Sequence, residues 1–330
     1  MKRPMAYIAG VGHYVPPTVV TNDDIAAMGL ETNDQWIVER TGIRQRHIAK
    51  PEESLTSISA EAARIAMQQA GVQPGEIDAI ILGTASPDHL LPSTAVELQT
   101  ALGCTRAVAF DLAAACSGWL YSAIVGESLI ASGSADTVLV VGAEKLSAIV
   151  DWSDRNTCIL FADGAGATVL RRARGGQKGI LSSFMRSDGA LAELLWRPAG
   201  GGVEPFSPEA FAGKRQYIQM AGREVFKHAV RSMAEATDRA LDAARLTAAD
   251  IDLLIPHQAN IRIIEATAKH AGIPMDRVFV NVDRFGNTSA ASIPIALSDA
   301  VQQGRVKEGM TVLFAAFGAG FTWGSLIVRF

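Results

Sequence analysis

Residues 61–80, EAARIAMQQAGVQPGEIDAI, lie without a gap on residues 235–254, EATDRALDAARLTAADIDLL, so that Ile77-Asp78 falls on Ile251-Asp252 at an offset of 174 residues. Nothing else in the 330-residue chain restricts its fold as much, because a chain that repeats itself about half-way along builds one unit twice and must bury both copies. Each copy reads as an amphipathic helix, a turn and an apolar strand, Ile80-Ile81-Leu82 in the first and Leu253-Leu254-Ile255 in the second. The offset returns at Thr137-Val138-Leu139 and Thr311-Val312-Leu313. Between these segments AVAFDLAAAC (107–116) falls beside VFVNVDRFGN (278–287) at an offset of 171, which places Cys116 and Asn287 at matching positions of the two halves.

Short aliphatic, β-branched runs alternating with helical stretches predict α/β units whose sheets are covered by helices, here two halves stacked about a pseudo-twofold axis. The boundary is expected near Arg171 to Gly179, in the charged, glycine-rich RRARGGQKG, dividing the chain into 1–178 and 179–330. A second irregular stretch, Pro198 to Gly213, is expected to form a surface loop or lid. With 48% hydrophobic and 19% charged residues the chain has ample material for a core, which excludes a disordered or fibrous protein. The net charge of −4 argues against a chain-wide grip on nucleic acid, so any basic patch must be found by position. Cys104, Cys116 and Cys158 lack the paired spacing of a zinc site or a disulfide framework, and a reducing compartment is the default. Met1-Lys2-Arg3-Pro4 opens poor material for a signal peptide, and no apolar stretch nears the roughly 20 residues of a membrane span. The expectation is a soluble, cytoplasmic protein.

Three residues at strand ends are candidates for chemistry. Cys116 follows an apolar strand and Ala113-Ala114-Ala115 and opens the helix-like run SGWLYSAIVGESLIASG. There the unpaired N–H groups and the positive end of the dipole favour thiolate, against the plain alternative of a buried cysteine acting as a small apolar residue. Cys104 and Cys158 keep that plain reading. His257 ends the strand Leu253-Leu254-Ile255 after Pro256, and strand ends of α/β sheets are where ligand crevices form. His13, His47, His89, His228 and His270 have no such placement. Asn287, in GNTSAAS, could simply cap the helix that ends near Gly304. Together a thiol, an imidazole and a carboxamide permit acyl transfer to sulfur with stabilisation of an oxyanion, and equally thiol hydrolysis. The order Cys, His, Asn is that of papain-like proteases, whose signature around the cysteine is absent. Gly164-Ala165-Gly166-Ala167 reads as a tight turn rather than a dinucleotide loop, and no P-loop or HExxH metal motif occurs.

DQWIVERTGIRQRHIA (34–49), DLAAACSGW (111–119), DGAGA (163–167), PHQANIRII (256–264), GNTSAASIP (286–294) and the ending FGAGFTWGSLIVRF together resemble the β-ketoacyl-acyl carrier protein synthase III family, over nearly the whole chain. The resemblance implies a thiolase-like duplicated fold with a layered αβαβα core. It implies decarboxylative condensation of a short acyl-CoA with malonyl-acyl carrier protein at the start of type II fatty acid synthesis, without a metal or redox cofactor. Cys116 would carry the acyl group, while His257 and Asn287 bind the malonyl thioester carbonyl. The backbone N–H groups of Cys116 and Ala319 would hold the second oxyanion, although many relatives have three glycines where this chain has Gly318-Ala319-Gly320. Trp36 and Arg155 would sandwich the CoA adenine, with Arg40 near phosphate and Asn260 along the pantetheine. Arg223, Lys227, Arg231, Arg262 and Lys269, otherwise a solvated basic face, would dock the acidic carrier. Leu91 stands where some relatives carry an aromatic that closes the acyl pocket from a partner subunit, which implies a homodimer. Related condensing enzymes of secondary metabolism, a Cys116–His257 hydrolase and a carrier-binding protein without turnover are the alternatives.

Overall fold

A computed structural model describes residues 5–175 and 178–330. Met1-Lys2-Arg3-Pro4, and Gly176 and Gln177 of the expected boundary, lie outside the described residues.

The repeated segment folds twice as expected. Ser54 caps the helix Leu55–Ala70 by accepting from Ser57 N–H, and Gly71, at φ 63°, ends it. Its counterpart Gly222–Ala244 ends 174 residues later at Arg245, also left-handed. After each comes a single 3₁₀ turn, Pro74–Glu76 or Ala248–Asp250, and then a strand, Ala79–Gly83 or Leu253–Pro256.

The first sheet runs Ala6–Tyr14, Asp163–Arg172, Thr137–Lys145, Ala79–Gly83, Val108–Leu112, its first two pairings antiparallel and its last two parallel. The second runs Gly179–Ser187, Thr322–Arg329, Thr311–Gly318, Leu253–Pro256 with the same sequence of pairings. An isolated parallel bridge from Leu254 to Val278 takes the place of its fifth strand. Helices Gly118–Ala131 and Ser292–Gln302 pack between the sheets. Leu55–Ala70 with Thr94–Leu102, and Gly222–Ala244 with Ile261–Ala271, cover the outer faces, which completes five layers, α-β-α-β-α. Trp119 binds the central layer to both sheets: its indole N–H donates to Thr168 of the first at 3.2 Å and its ring meets Phe314 of the second at 5.6 Å.

Two sequence expectations are corrected. Gly164-Ala165-Gly166-Ala167 is no turn but part of the strand Asp163–Arg172, and its small residues let the central helix Ser292–Gln302 lie close against it. Cys116 and Asn287 are not equivalent positions either. The offset of 174 carries Ala115–Ser117 onto Ser289–Ala291, both single 3₁₀ turns, and the start of helix Gly118–Ala131 onto that of Ser292–Gln302. Cys116 therefore matches Ala290. The three-residue slip arises because the second half replaces the strand Val108–Leu112 by a bridge and a short helix, Val282–Phe285. Pro198 to Gly213 is irregular as expected, apart from the helix Pro208–Ala212, capped by Ser207.

Candidate active site

Both 3₁₀ turns begin with a non-glycine residue in the left-handed region, Ala115 at φ 45° and Ser289 at φ 47°. Such conformations are costly and persist where surrounding structure imposes them, often at functional sites. Here they turn the chain from sheet to central helix and bring the two turns into contact. Cys116 sits in the first turn, against the turn that carries Ser289, whose hydroxyl draws the thiol pKa down. Gly318 closes over it so tightly that a Cβ there would fall 2.7 Å from Cys116 N, where only glycine fits.

Burial opposes the thiolate that the helix terminus favours. Removal from water pushes the Cys116 thiol up to about 12, the charge of Glu144 adds to this, and the Ser289 hydroxyl offsets only part. That direction favours the protonated Cys116 sulfur at neutral pH. His257 is equally buried, which pushes its imidazole down to about 3, so the ring is neutral. Its Nδ1 lies 2.6 Å from Ser292 Oγ, which also accepts from Gln258 N–H at 3.4 Å. A Ser292 hydroxyl that donates to Nδ1 would leave the imidazole proton on Nε2. Asn287 Oδ1 accepts from Ser289 N–H at 2.9 Å and its Nδ2 end is left toward the cavity; the residue is not a helix cap, because the turn Ser289–Ala291 starts from Thr288 and the helix Ser292–Gln302 from Ala291, neither with a side-chain cap.

Cys116, His257 and Asn287 lie at the buried end of one cavity of about 610 Å³. Its open end is lined by Trp36, Arg40, Asn260, Arg223, Lys227 and Arg262. Asn260 is also the N-cap of helix Ile261–Ala271, and its Nδ2 donates to the Arg40 carbonyl at 2.8 Å. Arg40 and Arg155 both place their guanidinium over the Trp36 ring, 4.1 and 4.6 Å from its centre. An adenine stacked on Trp36 must therefore displace Arg155, which would give up its bond to the Glu31 carbonyl. Arg262 stacks on Phe226 at 5.3 Å, so two helices present the basic rim together. Lys227 pairs with Glu224. Arg231 faces a neighbouring groove with Asp188 and Glu235, and Lys269 sits in the last turn of its helix, so neither lines the cavity. Leu91 is 89% exposed and also apart from the cavity lining.

Three residues of the site were not singled out from sequence: Ser292, Ser289 and its partner Glu144, while Gly318 was named only as part of the glycine loop. Ser289 had one available signal, its position 174 residues after Ala115 beside the cysteine. Among the described residues no three His, Cys, Asp or Glu side chains are grouped as a metal ion would need.

Residues 110–189 match the family described as 3-oxoacyl-[acyl-carrier-protein (ACP)] synthase III, and residues 241–330 match the description of its C-terminal part. The β-ketoacyl-[acyl-carrier-protein] synthase III of Symbiobacterium thermophilum is 50% identical over 99% of this chain and 98% of its own. The chain belongs to the 3-oxoacyl-[acyl-carrier-protein] synthase III family. Among solved members, that of Aquifex aeolicus VF5 superposes with a TM-score of 0.91 at 46% identity, covering 98% of this chain and 100% of the other. The priming β-ketosynthase of the R1128 polyketide pathway has the same score at 33% identity, covering 99% and 96%. Membership in this synthase III family makes the protein an acyltransferase-type condensing enzyme with the thiolase-like fold. No helix among the described residues is long and apolar enough to cross a membrane.

Proposed function

We propose that the cavity performs the family's condensation in two stages, with acetyl-CoA as the first primer to test. The acyl-CoA enters past Trp36, Arg40, Arg155 and Asn260 and transfers its acyl group to the Cys116 sulfur. Malonyl-acyl carrier protein then docks on the basic rim, with Arg223, Lys227 and Arg262 nearest the opening and Arg231 and Lys269 extending the patch along the same two helices. Loss of carbon dioxide leaves an enolate whose oxygen accepts from His257 Nε2–H and Asn287 Nδ2–H. Its carbon attacks the acyl-Cys116 carbonyl, the new C–C bond forms, and the C–S bond breaks to release β-ketoacyl-carrier. The oxyanion formed in that attack takes backbone N–H donors from Cys116 and Ala319, a pairing supported by the close seating of the Gly318 loop on Cys116 N. The observation that carries this reading is the convergence of the three groups on one buried floor beneath a cationic rim.

The exposed apolar pair Leu90 and Leu91 and the half-exposed edge residue Val108 support a homodimer in which Leu91 reaches the partner's acyl pocket. The acyl-CoA and carrier substrates support a cytoplasmic setting with no resident cofactor. Reversing the charge at Arg262 (Arg262→Glu) is expected to raise KM for malonyl-carrier about tenfold by weakening encounter with an acidic partner. Priming by acyl-CoA should stay within about twofold. Equal losses in the two steps, measured separately, would remove the docking assignment.

A further inference from the structure

Glu144 is a carboxylate in the interior of the protein with no cation paired to it among the described residues. It ends the apolar run of the strand Thr137–Lys145 and is fully buried. Every contact it makes is with a donor: the hydroxyls of Ser86, Thr84 and Ser289 and the backbone N–H groups of Ala85 and Ala290. Lys145, next on the strand, points its Nζ away to the carbonyls of Lys50 and Glu53, and Asp163 on the adjoining strand is held by Ser147 and the Ala49 N–H. Cys116 is the titratable group that faces it. Burying an unpaired carboxylate is expensive, and a well-packed structure would not need one here for stability.

Ser289 connects the two. Its Oγ lies 2.9 Å from Glu144 Oε1, its turn packs against the turn that holds Cys116, whose thiol pKa its hydroxyl draws down, and its left-handed backbone is fixed by the turn that also orients Asn287. A hydroxyl both donates and accepts, so this contact can reverse direction where the two backbone N–H donors cannot.

We propose that Ser289 and Glu144 form a proton relay that takes the thiol proton from Cys116 during acylation and stores it until condensation returns it. The proposal rests on Cys116 being the acylated nucleophile. As the sulfur attacks the acyl-CoA carbonyl, its proton passes to Ser289 Oγ and the Ser289 proton passes to Glu144. The C–S bond to CoA breaks, and CoA leaves as a thiolate that takes a proton from solvent. When the enolate displaces Cys116 from its acyl group, the Cys116 thiolate is protonated by Ser289 and Ser289 by Glu144. One solvent proton is consumed per turnover, matching the carboxylate lost as carbon dioxide. Burial holds the Glu144 carboxyl at about 7 despite its donors, so it can accept and release a proton near neutrality.

The test is the pH profile of single-turnover acylation, followed as acyl adduct by intact-protein mass spectrometry in wild type, Ser289→Ala and Glu144→Gln, with Cys116→Ala alongside and folding checked by cooperative melting. The acceptor must be unprotonated, so the wild-type rate should rise with pH and level off above about 7. Ser289→Ala, which keeps the backbone and the other Glu144 donors, should acylate about 10²-fold more slowly at pH 7 and lose the levelling, its rate climbing with hydroxide because the thiol now ionises alone. Glu144→Gln should behave in the same way. A Ser289→Ala rate within about threefold of wild type, with the same inflection, would overturn the relay. An adduct that persists in Cys116→Ala would instead overturn the nucleophile assignment on which it rests.

Discussion

Replacing Asn287 by Ala is expected to lower condensation by about 10²- to 10³-fold while acylation of Cys116 stays within about threefold of wild type. The split follows from where the carboxamide points. Its oxygen is occupied by the Ser289 N–H, and its Nδ2 end is left toward the cavity, where in the proposed mechanism the malonyl thioester enters only after Cys116 has been acylated. A donor removed from a pre-organised site costs the step in which charge develops on its acceptor, and that charge exists only once carbon dioxide has left. In the proposed mechanism His257 is the second donor, which its neutral state allows: a buried imidazolium would hold the enolate as an ion pair and resist its attack on carbon. Stopped acylation and full turnover, measured on the same preparation, separate the two effects. An equal fall in both would refute the assigned division of labour.

The largest stability effect is expected at Gly142 rather than at a catalytic position. A Cβ on Gly142 would stand 2.2 Å from the Ala290 carbonyl oxygen and 2.9 Å from the Trp119 Cβ, a clash with backbone that no rotamer relieves. Gly142 lies on a central strand of the first sheet, and Ala290 belongs to the turn that carries Ser289, so the contact is where the two halves meet over the nucleophile. Gly142→Ala should cost about 3 kcal/mol in urea unfolding, the upper part of the range for overpacked cores. It should also depress condensation, because the shift that accommodates the methyl moves Ser289 and Asn287. Gly75→Ala, with no atom within 4 Å of its Cβ position, is the matched control and should unfold as wild type does. Similar midpoints for the two variants would contradict the packing argument.

The duplication was legible because helix, turn and strand recur as local patterns at one spacing; the sheet order was not, because it is set by pairings between strands far apart in sequence. The register near the active site was not legible to the residue. A strand in one half and a bridge with a short helix in the other differ by three positions, and the spacing of 174 resumes only at the 3₁₀ turns. Cys116 and His257 stood out by their place at strand ends, yet their protonation did not, because a helix terminus acts locally while desolvation depends on everything packed around the group. Glu144 is invisible from sequence for a similar reason: the hydroxyl that gives it meaning is 145 residues away. The basic rim was legible as a helical face, but only the fold shows that Arg223, Lys227 and Arg262 reach the cavity and Arg231 and Lys269 do not.

The most direct test of the central claim is intact-protein mass spectrometry after incubation with a panel of acyl-CoAs, with Cys116→Ala as the control, followed by addition of malonyl-carrier and identification of the product. The account predicts an acyl adduct that requires Cys116 and is discharged into β-ketoacyl-carrier. An adduct lost only to water, or one that forms equally on Cys116→Ala, would contradict it.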